Sequence, residues 1–485
     1  MIKISPPSPP QFTDAASVYA AARITHWNKN DHKNRTWSNI KHYYRKRLSE
    51  IYSFAVPEGK RVLELGCGEG DLLAALKPGY GVGVDFSSMA VKVAKCRHSH
   101  LHIIETNAQD FAVNETFDYI ICSDLLNELW DVQSFFASIK KLCHPETRLI
   151  LNIHSNLWQQ PRKLAERLGV APPQMIQNWL TPEDISNFFY LTGFEEVRKS
   201  AEILCPIKLP IISTLCNKFL VKLWPFNFFA LTNFVVARPV FEKLRSEPIV
   251  SVIVPAHTEA GNIPEIFDRI PAMGRGTEIV FVEGGSTDDT YEVIEREINL
   301  RKRPMTKLFR QTGIGKGDAV RVGIENSIGE LLIILDSDLT VAPEDLPRFY
   351  EAWLSGKGDF INGVRLVYPM DDGAMQFFNL LGNKFFSRAF SFLIGQNIKD
   401  TACGTKVFSR ACYEPIVKNR AYFGNFDLFG DWDLIFGAAK YNLKIVDMPV
   451  RYRSRFYGET KMKRWKIGFL LLRMVMVGLG RLKFV

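Results

Sequence analysis

Two acids two residues apart, Asp336 and Asp338, close an apolar run in LLIILDSDLT (331–340). The five apolar residues before them read as a buried central strand. Side chains at i and i+2 of an extended chain share one face, so both carboxylates can converge on one ligand. Parallel strands bind ligands at their carboxyl ends. A hard divalent cation, Mg or Mn, fits such a pair if its other positions fall on diphosphate oxygens. It would stabilise the charge developing on a departing diphosphate. Asp-x-Asp also occurs in loops and caps, and its place directly after an apolar strand is what strengthens it here.

A second feature, VLELGCGEG (62–70), sets Gly66, Gly68 and Gly70 between a strand and a helix. Glycine there permits a tight turn and close backbone approach to a cofactor. Asp85 ends the next strand at about the ~20-residue spacing where a carboxylate takes ribose hydroxyls. By itself this spacing suits several dinucleotide or nucleoside sites.

Both features need a rigid scaffold. Short apolar runs alternate with helical stretches through RVLELGCGEGDLLAAL (61–76), GVGVDF (81–86), FDYIICSD (117–124) and RLILNIHS (148–155). The alternation restarts at IVSVIVPAH (249–257), EIVFVEGG (278–285) and ELLIILDSD (330–338), after a charged, proline-containing join at 237–248. This pattern predicts an α/β protein with two doubly wound parallel sheets. The expected division is a lead-in with helices over 1–55, a Rossmann-like domain over 56–245 and a second α/β domain over 246–485. A chain of 485 residues is long enough for both cores.

Composition is that of a globular protein, 46% hydrophobic and 23% charged. The net charge of +9 favours anionic partners. From Arg451 onward there are ten Lys or Arg against one acid, Glu459. None of the eight cysteines forms a CxxC pair, and no signal-peptide pattern opens the chain, so reduced thiols and a cytoplasmic location are expected. No stretch reaches the ~18 uninterrupted apolar residues of a spanning helix.

The neighbours of the acid pair carry a resemblance. SVIVPAHTEAGNI (251–263), EIVFVEGGSTDDT (278–290), GKGDAVRVGI (315–324) and LDSDL (335–339) resemble family-two glycosyltransferases of the GT-A fold. KDTACGTKVFSR (399–410), the segment 429–453 and YGETKM (457–462) look like their polyprenyl-phosphate branch, typified by dolichyl-phosphate mannose synthase. The resemblance implies a nucleotide-sugar donor held by Pro255, Ala256, Glu259 and Glu283, with Lys316 and Asp336 at its phosphates and the metal on Asp336 and Asp338. The family writes two acids before Gly-Ser where this chain has Glu283 and Gly284, so uridine and guanosine donors both stay open. The acceptor side is implied at Asp400, Asp431 and Asp433. An alcohol acceptor needs Asp431 or Asp433 as general base. A lipid phosphate needs none, and Arg451, Arg453 or Lys461 would hold it. Helix capping or a surface pair is the plain alternative for Asp431 and Asp433. The branch implies inversion by single displacement.

Two apolar stretches, 377–395 and 465–484, suit a membrane-proximal acceptor and a protein peripheral on the cytoplasmic face. Packing on the core or on a dimer partner is the equal alternative.

In the first half, ELGCGEGDLL (64–73), GVDFS (83–87), TNAQDF (106–111), FDYIICSDLLNELWD (117–131) and the segment 178–197 resemble class I S-adenosylmethionine-dependent methyltransferases. That implies Gly66, Gly68 and Gly70 at the amino-acid end of S-adenosylmethionine, Asp85 at the ribose, Asn107, Ala108 and Gln109 at the adenine, and Glu64 among the cofactor-binding residues. Many relatives show a His after the fourth strand where this chain reads Leu126-Asn127-Glu128. Glu128 and His154 are the candidate bases, and a structural role is the plainer reading of each. The apolar segment 203–224 is unusual for such a domain and suits either a membrane or the domain join.

The readings are a bifunctional sugar and methyl transferase, a glycosyltransferase with a non-catalytic methyltransferase-like binding module, and a nucleic-acid methyltransferase. The third is weakest, because the cations gather at the C-terminus and not around the glycine loop.

Overall fold

The structure is a computed structural model that describes residues 14–29, 35–169, 171, 175–241, 245–369, 377–424, 430–455, 457 and 464–485. The chain divides into two compact units, Met1–Phe241 with Phe484–Val485, and Glu242–Lys483.

The N-terminal unit holds β1 (Arg61–Leu65), β2 (Tyr80–Asp85), β3 (His102–Glu105), β4 (Phe117–Ser123), β5 (Cys143–His154), β6 (Phe194–Glu202) and β7 (Thr232–Pro239). They form one sheet in the order β3-β2-β1-β4-β5-β7-β6. The first five run parallel, and β7 lies antiparallel to both neighbours. Strands buried on both faces read as unbroken apolar runs, and Val62, Leu63 and Leu65 are fully buried. Strand order reverses at β1, so the carboxyl ends of β1 and β4 flank a crevice. The helix Arg35–Ala55 covers one face through Leu48, Tyr52 and Ala55.

The C-terminal unit holds β8 (Ile249–Ala256), β9 (Gly276–Glu283), β10 (Thr306–Arg310), β11 (Leu331–Ile334), β12 (Phe360–Val364), β13 (Lys406–Ser409) and β14 (Ile445–Pro449). The order is β10-β9-β8-β11-β13-β12-β14. Strands β8 to β11 pair in parallel, and β13 is antiparallel to β11 and β12.

Both units are doubly wound α/β as expected, and each sheet is mixed, with the reversed strands β7 and β13 departing from the parallel pattern. Apolar runs carry burial but not direction, so the reversed strands leave no mark in the pattern. The reversal at β13 has a use. Ile334 pairs with Lys406, so the residues just before β13 lie beside those just after β11. Among the described residues no helix is long and apolar enough to cross a membrane.

Candidate functional site

In the C-terminal unit β11 ends at Ile334, and Asp336 to Asp338 enter a turn rather than continuing extended. Ser337 Oγ donates to the Pro255 carbonyl (2.9 Å), tying this turn to the end of β8. The two acids then face different cations. Asp336 Oδ1 lies 2.6 Å from Lys316 Nζ. Asp338 Oδ2 lies 2.7 Å from Arg455, and its Oδ1 accepts from Thr340 Oγ1 at 2.8 Å. The expectation of two carboxylates on one face of a strand is thus corrected: the turn sends them to separate partners.

Lys316 opens the helix Lys316–Glu325 and also reaches Asp431 Oδ2 at 3.5 Å. Burial opposes its charge, yet Asp336 and Asp431 raise its pKa above the ordinary lysine value. Burial alone would raise the Asp336 carboxyl, but the Lys316 ammonium, with Lys406 and Arg365, holds it below the usual carboxylate range. Lys406 is fully buried at the start of β13 and donates to Asn362 Oδ1 at 3.2 Å. Its Nζ lies 3.7 Å from Asp431 Oδ1. Alternating cations and anions from four elements therefore meet in one place.

Two close backbone approaches make that meeting possible. A Cβ on Gly404 would sit 2.0 Å from Asp336 Oδ2. A Cβ on Gly430, whose φ is +75°, would sit 2.8 Å from the Cα of Gly317. The Lys316 loop and the helix Asp431–Lys440 thus touch backbone to backbone.

The remaining expected residues divide. Pro255 and Ala256 end β8, and Glu283 ends β9 with its carboxylate accepting from the Ser286 backbone N–H. Glu259 is buried and accepts from Asn262 Nδ2 at 2.6 Å. Asp431 and Asp433 lie in the first turn of their helix and are buried, which excludes the surface-pair alternative. Asp433 pairs with Arg420 at 3.3 Å, in a shallow solvent-open groove lined also by Arg321, Tyr413 and Phe423.

Asp400 is different. It is fully buried and bonded to Arg365 (2.8 and 2.9 Å), Asn383 (2.9 Å) and the Ala402 N–H (3.0 Å). Its oxygens clamp the loop before β13, which corrects the acceptor-side reading. Arg451 and Arg453 are exposed, with Arg451 over the Tyr368 ring at 5.7 Å. Lys461 lies outside the described residues. Sequence reasoning passed over Arg455, Arg365, Lys406 and Gly404. Only the last two had a signal, inside KDTACGTKVFSR.

No group of three or more His, Cys, Asp or Glu that could hold a metal occurs among the described residues. Two carboxylates suffice where a substrate diphosphate supplies the other oxygens. Each acid of the turn already rests against a positive side chain, Lys316 or Arg455, standing where a cation would. Both acids are hard oxygen donors of the kind a divalent ion takes, and an ion joining them would displace those two pairings.

In the N-terminal unit the crevice is built from the ends of four neighbouring parallel strands. Gly66 follows β1, Asp85 ends β2, Asp124 follows β4 and His154 ends β5. Asp85 accepts from the N–H groups of Gly68 and Ser87, both at 2.8 Å, and so fixes the glycine loop. Carboxylate lone pairs remain for ribose hydroxyls. A Cβ on Gly68 would meet nothing within 4 Å. Behind the loop, Glu64 Oε2 is buried without a hydrogen-bond partner, and burial pushes its carboxyl well above the usual range. Open space at Gly68 and an orphaned carboxyl oxygen fit a cofactor with a cationic amino-acid end.

Ala108 is buried, and Asn107 Oδ1 accepts from the Gln109 N–H at 3.1 Å. The Gln109 side chain is committed at both ends, to the Trp130 N–H and the Asp131 carbonyl, so it holds the loop.

Of the candidate bases, Glu128 is tied to Arg23 at 3.0 Å and to Gln177 Nε2. His154 Nδ1 is buried, has no hydrogen-bond partner, and lies 3.8 Å from Asp124 Oδ1. Asp124 has φ +53° and accepts from Tyr44 O–H at 3.0 Å. A non-glycine residue held at positive φ stores strain of a kind that clusters at functional sites. The next residue, Leu125, comes within 3.0 Å of where a Gly66 Cβ would be, so this cluster adjoins the glycine loop.

Each unit contains a stretch that matches a known protein family. Residues 39–199 match the family described as methyltransferase domain, and residues 251–416 match glycosyl transferase family 2. Glycosyltransferase AglJ of Haloferax volcanii is 28% identical over 207 residues, covering 42% of this chain and 63% of that protein. Undecaprenyl-phosphate 4-deoxy-4-formamido-L-arabinose transferase of Pseudomonas aeruginosa is 26% identical over 231 residues, covering 47% and 64%. The chain spans just under two thirds of the length of these relatives. Among solved structures, magnesium protoporphyrin IX methyltransferase of Synechocystis with bound SAH matches at 15% identity and TM-score 0.32, covering 46% of this chain and 98% of that one. Glucosyl-3-phosphoglycerate synthase of Mycobacterium tuberculosis with Mn2+, UDP and phosphoglyceric acid matches at 16% and 0.36, covering 49% and 79%. The chain carries a methyltransferase domain followed by a glycosyl transferase family 2 domain.

Proposed function

We propose that the C-terminal unit moves a sugar from a nucleotide-diphosphate donor to a lipid phosphate of the polyprenyl kind, and that the N-terminal unit moves a methyl group from S-adenosylmethionine. The observation that carries the first half is Lys316 between Asp336 and Asp431. It joins the phosphate loop, the acidic turn and the acceptor-side helix at one ammonium. The Pseudomonas relative, named for an undecaprenyl-phosphate acceptor, supports the choice of lipid.

Asp336 and Asp338 would hold a Mg or Mn ion, which would offset charge on the leaving diphosphate. Pro255, Ala256, Glu259 and Glu283 border the nucleoside. Asp431 and Asp433 are both already engaged in ion pairs, with Lys406 and Arg420. That favours an acceptor arriving already ionised over an alcohol that needs a base. Arg451, Arg453 and Lys461 are the cations to receive its phosphate. Asp431 then orients Lys316, and the displacement inverts the anomeric carbon. Exposed Phe385, Phe469 and Met476 on the helices Phe377–Ile394 and Arg464–Gly478 suit a peripheral position on the cytoplasmic face of a membrane.

In the N-terminal unit S-adenosylmethionine supplies an electrophilic methyl. His154 takes the proton from a hydroxyl acceptor, with the Asp124 carboxylate 3.8 Å from Nδ1 to offset the charge the ring gains.

Nucleotide release from UDP- and GDP-sugars, with and without polyprenyl phosphate, tests the first half. Release should need the lipid and fall at least ~100-fold in Asp338→Asn; wild-type turnover in that variant removes the metal assignment. For the second half, label from S-adenosylmethionine should appear in a lipid-extractable product. Cofactor binding with no labelled acceptor favours the binding module, and label confined to RNA or DNA favours the nucleic-acid reading.

A further inference from the structure

Between β6 and β7 the N-terminal unit inserts a segment patterned inside out. Residues 203–231 form short helical turns at 212–214, 215–219, 220–222 and 226–229. Their outward side chains are large and apolar: Ile211 is 83% exposed, Trp224 86% and Phe228 67%, with Leu215, Phe219 and Phe229 also exposed. Large apolar side chains held this far out of the core, and clustered on one short segment, mark an interaction site.

The segment is nevertheless firmly seated, and by polar groups. Buried Asn217 accepts from the N–H groups of Leu204 and Cys205 (both 2.8 Å) and donates to the Cys205 carbonyl (2.7 Å) and Tyr43 Oη (3.2 Å). Lys222 forms a buried ion pair with Glu202, and Trp158 Nε1 donates to the Phe229 carbonyl at 3.1 Å. The chain thus spends its polar contacts inward and holds the apolar side chains out.

Charge selects the occupant. From residue 203 to residue 241 there is no Asp or Glu. Lys208 and Lys218 stand on the segment, Lys208 exposed, and neither forms an ion pair among the described residues. A second copy seated on this face would bring lysines against lysines with no acid to meet them. An anionic bilayer offers hydrocarbon to the aromatic and aliphatic side chains and phosphate to the lysines. Tryptophan and phenylalanine beside lysine is also the composition that settles at headgroup depth.

We propose that residues 203–231 are a membrane-docking face that seats the N-terminal unit on an anionic phospholipid surface. This goes beyond the contact assigned above to the C-terminal helices and depends on neither transfer reaction.

Flotation of the full chain with phosphatidylcholine vesicles, with and without phosphatidylglycerol, tests it. Wild type should float with the anionic vesicles. The bound fraction should fall about tenfold in Ile211→Ser/Trp224→Ser/Phe228→Ser and severalfold in Lys208→Glu/Lys218→Glu, with the melting temperature of each variant showing that it folds. In a separate measurement, brominated lipid should quench wild-type tryptophan emission more than that of Trp224→Phe. Wild-type flotation by the triple variant, or loss only in Phe469→Ser/Met476→Ser on the C-terminal unit, overturns the proposal. So does a wild type that ignores both vesicles, or a triple variant whose sole change is loss of a dimer in light scattering.

Discussion

Asp400 and Arg365 form a buried pair whose behaviour with pH has a definite sign. Burial raises the Asp400 carboxyl, but the bidentate guanidinium and the Asn383 and Ala402 donors outweigh it and hold the group well below the ordinary range. Its folded pKa is thus depressed. The pair contributes stability above the unfolded value of about 4 and loses it as pH falls through the folded one. Arg365→Met leaves a buried acid with burial as the dominant influence, so the shift reverses and this variant should gain stability on acidification. At neutral pH it should lose about 3–5 kcal/mol. Urea melts of both proteins at several pH values compare the slopes. His154 gives the corresponding test in the N-terminal unit. His154→Gln should bind S-adenosylhomocysteine by calorimetry within about threefold of wild type while methyl transfer falls by ~10²–10⁴. Equal loss of both would make the ring a structural support instead.

At the level of elements, the contact between Gly430 and Gly317 fixes the spacing of the Lys316 loop and the Asp431 helix. Gly430→Ala faces both a positive φ and an immovable backbone neighbour. It should cost about 1–3 kcal/mol and lower sugar transfer through displacement of Lys316, checked by a urea melt beside a kcat measurement. The strand under Asp336 was legible in sequence because five apolar residues in a row leave few alternatives. The glycine loop was legible because strand, glycines and Asp85 follow one another at fixed distances. The reversed directions of β7 and β13 were not, since an antiparallel strand buried on both faces has the same composition as a parallel one. Lys406 looks like a solvent lysine until β13 is placed beside β11, and Arg455 stands more than a hundred residues from Asp338. Interactions of that range are set by topology, which residue spacing does not encode.

For the whole molecule, two compact units with separate cores should respond to separate ligands. In calorimetric scans S-adenosylhomocysteine should raise one melting transition and a nucleoside diphosphate with Mn the other. At a hundredfold excess over Kd each gain is about 2.7 kcal/mol. A ligand that moves both transitions equally would show the units unfolding as one.

The ammonium of Lys316 has two counter-ions before any substrate arrives. A phosphate oxygen that approaches it must compete with Asp336, and the trade gains little unless a new positive charge satisfies the carboxylate left behind. Donor and divalent ion should consequently enter as a couple. Nucleotide affinity would climb with manganese concentration and nearly vanish in chelator, while free orthophosphate, abundant in any cell, finds the resting site already neutralised from within.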